Sequence, residues 1–192
     1  MRGWEATLVG LGLLIGAIAA PAGAAAANTV ADRPWGPDAV FAQLGRAKGT
    51  STFTAGMWWN WQRQWRVGDD GWLSGYNEVS IGHWRADGGE GRAVVTQFGF
   101  APTFRYWLSG QAAGWFAEAA IGVNALTPLY RSGERRFSTA FNFGDHIAVG
   151  RRQQHARGWE WSLRLQHFSN AGIKKPNPGE DFLQLRLSFP SE

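Results

Sequence analysis

Cysteine is absent from all 192 residues of the chain. That excludes a disulfide framework, thiolate catalysis and cysteine metal sites. Charge is also sparse: 18% of residues are Asp, Glu, Lys or Arg, against about 25% in an average soluble domain. Beyond residue 27 no apolar run approaches the ~20 residues that a membrane-crossing helix needs. A helical membrane protein is thereby excluded. What the chain has instead is aromatic rings and glycine: 12 Trp, 12 Phe and 26 Gly. Rings in that number suit the girdles that anchor a membrane β-barrel at its two interfaces. A soluble aromatic-rich barrel would share the composition. The net charge of +4 comes mainly from scattered arginines.

The first 27 residues read as an export signal. Arg2 supplies a short positive region, and an apolar run extends from Leu8 to Ala20. Pro21, Ala22, Gly23 and Ala24 to Ala27 follow, small residues that suit cleavage between Ala24 and Ala27. The expected organisation is a cleavable signal over residues 1–27 and one domain over residues 28–192. An exported chain is not expected to bind nucleic acid. Anionic phosphates of envelope lipids fit its basic balance better.

From about residue 39 the chain alternates with period two almost to its end. Eight segments show it: residues 39–47, 53–67, 72–85, 94–106, 115–125, 136–149, 159–169 and 183–189. Most are long enough to cross a bilayer as tilted strands of ~9–11 residues. The expected fold is all-β: an eight-stranded antiparallel up-and-down transmembrane β-barrel. At that size side chains fill the interior. Arg105, Glu118, Asn124, Glu160, Arg164 and Arg186 all fall on the inward parity, enough opposite charge for a plugged polar core. Pro102 lies inside the fourth segment and requires a bulge or an unpaired edge position. Asp145 lies on the apolar parity of the sixth segment, where a strand end or bulge is the expected reason.

The chemistry concentrates at the end of the seventh segment. His167 and Ser169 are two apart, and alternate residues of a strand share a face. Trp159, Trp161, Leu163 and Leu165 have the same parity, so the pair continues the greasy side. In a membrane barrel that side faces lipid. A loop from Asn170 to Gly179 follows and then a carboxylate pair, Glu180 and Asp181. One hairpin can thus bring together a nucleophile, a base and an orienting acid. The other histidines, His83, His146 and His155, share no ligand spacing with a carboxylate, so no metal or cofactor is implied.

The run His167-Phe168-Ser169-Asn170-Ala171-Gly172, followed by Pro176-Asn177-Pro178-Gly179, resembles the outer-membrane lipid A 3-O-deacylase family. The close match covers about the last 25 residues. The resemblance implies an eight-stranded barrel with a Ser–His–acid triad on its membrane-facing wall. It implies hydrolysis of the acyl chain ester-linked at the 3-position of lipid A, with lipopolysaccharide as substrate and the outer membrane as location. Carried over by position, Ser169 is the nucleophile, His167 its base and Asn170 an activity-critical asparagine. Asn177 and the amides near Gly172 are candidates for loop support or oxyanion binding. The family's acid is usually a glutamate just after the Pro-Asn-x-Gly turn. Residue type and a loop bulge favour Glu180; parity with Leu183 favours Asp181. Glu180 is preferred. A homodimer is compatible with such a barrel. Lys174 and Lys175 are either phosphate ligands or solvated loop charges.

Two other readings remain at this point. Another outer-membrane lipid esterase, of phospholipase type, would release a lysophospholipid rather than a 3-hydroxy fatty acid. A non-enzymatic adhesive or structural barrel would not depend on Ser169.

Overall fold

The computed structural model describes residues 36–88, 91–108, 114–133, 135–154 and 158–191. The expected export signal lies outside them. The described chain is built of strands: β1 (Ala39–Ala47), β2 (Thr50–Asn60), β3 (Trp65–Val67), β4 (Gly71–Gly88), β5 (Gly91–Trp107), β6 (Gly114–Thr127), β7 (Arg131–Ser132), β8 (Arg135–Arg136), β9 (Phe141–Arg152), β10 (Glu160–Ser169) and β11 (Glu180–Pro190). Eight of them, β1, β2, β4, β5, β6, β9, β10 and β11, pair antiparallel with both neighbours, and β1 joins β11 to close the ring. The short β3 continues the β2 edge along β4, and β7 pairs with β8 as a hairpin in the β6–β9 connection. Closure leaves the eight wall strands without a free edge along their paired lengths.

Alternation in the sequence becomes inside and outside in space. On β10, Leu163 is 43% exposed, Arg164 1% and Leu165 56%. Val40, Leu44, Phe98, Phe100, Ile121, Val149 and Leu185 are likewise exposed. A soluble protein would bury such a belt; a bilayer covers it.

The interior holds the charges, and they are paired. Arg186 grips Glu78 with both terminal nitrogens (2.5 and 2.9 Å), and its Nε donates to Gln43 at 2.9 Å. Arg105 donates to Glu118 (2.7 Å) and to both oxygens of Glu160 (2.6 and 3.0 Å). Arg164 spans Glu78 and Glu118 at 3.4 and 3.8 Å. Each buried charge therefore has a partner that offsets its lost hydration, and removing one member of such a network costs about 3–5 kcal/mol. Aromatic rings fill the remaining space. Phe41, Trp58 and Tyr76 cluster near the start of β1; Trp84, Tyr130, Phe137, Phe168 and Phe182 form a plug beneath the β10–β11 connection.

Three expectations need correction. Trp58, Trp84 and Trp107 are interior residues, not interface anchors. Trp58 and Trp107 pack on the Arg105 guanidinium, and Trp84 packs on Tyr130, Phe168 and Phe182. Phe137, expected on the apolar face of the sixth segment, is not on the outer wall: it precedes β9 and packs its ring on Tyr130 at 4.9 Å between centroids. Pro102 needs no bulge and sits within the sheet, but it faces an unpaired stretch on one side. It pairs with Asn77 of β4, and on the β6 side the ladder skips Ala101 and Pro102 without changing register.

Candidate active site on the outer wall

Four outward positions form one row across four strands: Ile121 on β6, Asp145 on β9, His167 on β10 and Asp181 on β11. Directly opposed side chains on one sheet face lie ~5 Å apart. The row therefore brings His167 between two carboxylates. The contact is with Asp181, whose Oδ1 is 2.6 Å from His167 Nδ1. That bond leaves Nε2 of the imidazole free toward the loop.

The preference for Glu180 is reversed by this geometry. Glu180 is the first residue of β11, so no bulge intervenes and strand parity applies from that point. Its side chain is 1% exposed, whereas that of Asp181 is 82% exposed. Glu180 accepts hydrogen bonds inside the barrel from Tyr130 Oη (2.7 Å) and Arg135 Nη1 (2.9 Å). Burial pushes the Tyr130 hydroxyl up to about 12, which keeps it a neutral donor. Asp145 is also corrected. It sits within β9, not at a strand end or bulge, and faces outward beside His167.

Ser169 ends β10 on the same face as His167. No hydrogen bond joins the two among the described residues. Ser169 Oγ instead accepts the Ala171 amide at 3.4 Å. Ala171 has φ +52°, a left-handed conformation that costs a residue with a Cβ about 1 kcal/mol or more. That turn points the Ala171 amide at the serine oxygen.

Asn170 turns out to organise the loop. It is 1% exposed. Its Nδ2 donates to the Lys174 carbonyl at 2.8 Å and lies 3.1 and 3.2 Å from the hydroxyls of Ser138 and Thr139. Its Oδ1 accepts the Gly172 amide at 3.0 Å, and its own amide donates to Asn177 Oδ1 at 3.0 Å. Asn177 thus ties the two arms of the loop together. The Gly172 amide is occupied by Asn170, so the amide on the serine oxygen is that of Ala171. Lys174 and Lys175 are exposed on the loop.

Two further residues, Gly179 and Arg135, shape the site. Gly179 has φ +65°, and a Cβ there would stand 2.7 Å from Cε1 of His167. Only glycine lets the returning chain lie against the imidazole. Arg135, from the β7–β8 hairpin, donates to the Gly179 carbonyl at 3.1 Å as well as to Glu180. It fixes the point at which the chain re-enters the wall. The glycine was visible in the sequence as a turn residue; the arginine's role depends on a contact 44 residues away.

A closed barrel with an apolar outer belt defines a membrane β-barrel protein, and its outer wall carries a serine, a histidine and a carboxylate at one end. Comparison with known proteins supplies the family. Residues 48–190 match the family model described as "Lipid A 3-O-deacylase (PagL)". The lipid A deacylase PagL of Pseudomonas aeruginosa is 34% identical over 139 residues, 72% of this chain and 78% of that protein. PagL of Bordetella bronchiseptica is 37% identical over 112 residues, 58% of this chain and 60% of that protein. The crystal structure of the outer membrane enzyme PagL superposes with a TM-score of 0.71 at 32% identity, covering 80% of this chain and 99% of that one. The chain belongs to the lipid A 3-O-deacylase (PagL) family of outer-membrane hydrolases.

Proposed function

We propose that this barrel removes the 3-O-linked acyl chain of lipid A within the outer membrane, with Ser169, His167 and Asp181 as its triad. The observation that carries the reading is the His167–Asp181 hydrogen bond on the apolar wall beside Ser169. Asp181 holds the imidazole in the tautomer with Nδ1 protonated and stabilises the imidazolium that forms later. Nε2 then takes the proton of Ser169 as Oγ attacks the ester carbon. Rotation of the Ser169 side chain away from the Ala171 amide brings it onto Nε2. The Ala171 amide, released by that rotation, is aimed at the developing oxyanion. The intermediate collapses with transfer of the proton from His167 to the departing sugar oxygen, leaving an acyl-Ser169 ester. Water, deprotonated by the same histidine, then releases a 3-hydroxy fatty acid. Asn170 and Asn177 are positioning residues that hold the loop carrying the Ala171 amide. Because the site opens on the outer wall, the ester reaches Ser169 without leaving the bilayer.

The test is mass spectrometry of lipid A from cells expressing the wild-type chain or Ser169→Ala, with folding followed by heat-modifiable gel mobility. Wild-type cells are expected to lose one 3-hydroxyacyl group, and Ser169→Ala cells to keep it. Unchanged lipid A together with lysophospholipid would make the protein a phospholipase. Deacylation by folded Ser169→Ala protein would rule out the triad.

A further inference from the structure

Two arginines flank a groove on the outer wall next to the triad, and neither has a role in the chemistry above. The groove has a volume of about 580 Å³ and is lined on its apolar side by Leu44, Phe53, Leu163, Leu183 and Leu185. Arg46 on β1 lies opposite Leu183 on one side and Ser51 of β2 on the other; Ser51 lies opposite Arg85 of β4. Arg46 and Arg85 are thus two strands apart on the same face, roughly 10 Å between backbones at normal strand spacing. The residue between them is a short hydroxyl side chain, so the wall dips there. Both arginines are exposed, and neither has an ion-pair partner among the described residues. Asp87, two residues beyond Arg85 on the same parity, forms no ion pair with either. His83 closes the groove on the β4 side.

The row containing Arg46 and Arg85 begins at Leu183, two residues along β11 from Asp181. Arg46 therefore lies about 8 Å and Arg85 about 16 Å from Asp181 between backbones at normal strand spacing. Two unpaired guanidinium groups facing a membrane need anions, and the planar Arg fork matches phosphate oxygens. The leucines below them match an acyl chain. A ligand that satisfies both halves carries phosphate on a headgroup from which acyl chains descend. We propose that Arg46 and Arg85, with the Ser51 hydroxyl between them, form a subsite for a phosphate of the lipid A sugar. One of its acyl chains would lie in the leucine groove, orienting the 3-O ester toward Ser169. This rests on the lipid A reading and extends it to how the substrate is held.

The experiment uses the purified barrel in detergent micelles, with bisphosphorylated lipid A and chemically dephosphorylated lipid A as substrates. Arg46→Gln/Arg85→Gln is expected to raise KM on the phosphorylated lipid by about tenfold or more, the loss of two charge-assisted contacts. Its kcat should stay within about twofold, and its KM on the dephosphorylated lipid should match wild type. An unchanged KM, or an equal rise on both lipids, would overturn the subsite. Gel mobility identifies any preparation that has not folded, and the single variants then carry the same comparison. Binding is read separately by native mass spectrometry of Ser169→Ala protein with bisphosphorylated lipid A. Arginine-dependent binding by a protein that proves to have no deacylase activity would sustain the subsite and reject the catalytic reading. Deacylation without arginine dependence would do the reverse. If phosphatidylglycerol bound with the same arginine dependence, the assignment to the substrate's own phosphate would fall.

Discussion

At the start of β11 two carboxylates occupy successive positions in opposite environments. Glu180 points into the aromatic plug, where Tyr130 and Arg135 hold it. Asp181 points out to the membrane face, where it meets His167. They are chemically near-identical and differ by one methylene, yet one supports the barrel end and the other meets the imidazole of His167. Strand parity makes the difference. Because side chains alternate across the sheet, a shift of one residue exchanges interior for exterior. The same holds on β10, where Phe168 fills the plug while His167 and Ser169 face out. Residue type is thus a poorer guide to role in this wall than position along the strand.

The sharpest way to break that comparison is to neutralise each carboxylate in turn. Asp181→Asn should lower kcat about 10⁴-fold, the cost of losing an orienting acid in triad enzymes, with an unchanged unfolding midpoint. Glu180→Gln should keep activity within about tenfold but lose roughly 1–3 kcal/mol of stability, since Arg135 and Tyr130 lose a charged acceptor. Deacylation rates and urea unfolding of the two variants decide it. The opposite pattern would return the acid's role to Glu180.

A smaller effect is expected where the loop touches the imidazole. Gly179→Ala would place a methyl against His167 Cε1 and strain a positive φ. A displacement of ~1 Å at a catalytic group costs about 10²-fold. The fall should appear in kcat while lipid A affinity is retained. Full activity in this variant would mean that the returning chain yields more readily than the close approach implies.

The last test concerns stability and not turnover, on the two faces of β10 away from the site. Leu163→Arg should destabilise insertion by about 2–4 kcal/mol if the residue lies near the bilayer midplane, and Leu165→Arg, nearer the loop end, should cost less. Lipid-soluble photolabels should mark Leu163 and Leu165 and spare Arg164. Labelling of Arg164 instead would invert the register and point Ser169 into the barrel.

Much of the fold was legible because period-two alternation is written directly in residue order. The eight crossings, their outward leucines and the inward arginines and glutamates all follow from it, and the ring of strands bears them out, although the second segment is broken after Asn60 and resumes as the short β3. The errors have identifiable causes. Phe137 has the parity of the outer wall but precedes the strand, so alternation did not apply to it. The girdle reading of the tryptophans as a group fails for Trp58 and Trp84 because the ring fits a packed interior as well as an interface. Asp145 was unreadable because the residue opposite it comes from a register that the sequence does not state.

By itself, then, the sequence determined the alternation, the number of crossings, and the placement of His167 and Ser169 on one apolar face. It did so because side-chain direction in a strand depends only on counting. Tertiary structure decided which carboxylate reaches the imidazole, that Asn170 braces the loop through Ser138 and Thr139, and that Arg46 and Arg85 come to flank one groove. Those outcomes depend on where β11 begins and on how neighbouring strands align. Cross-strand register is fixed by the closed ring and its packed interior, not by the order of residues within any one strand.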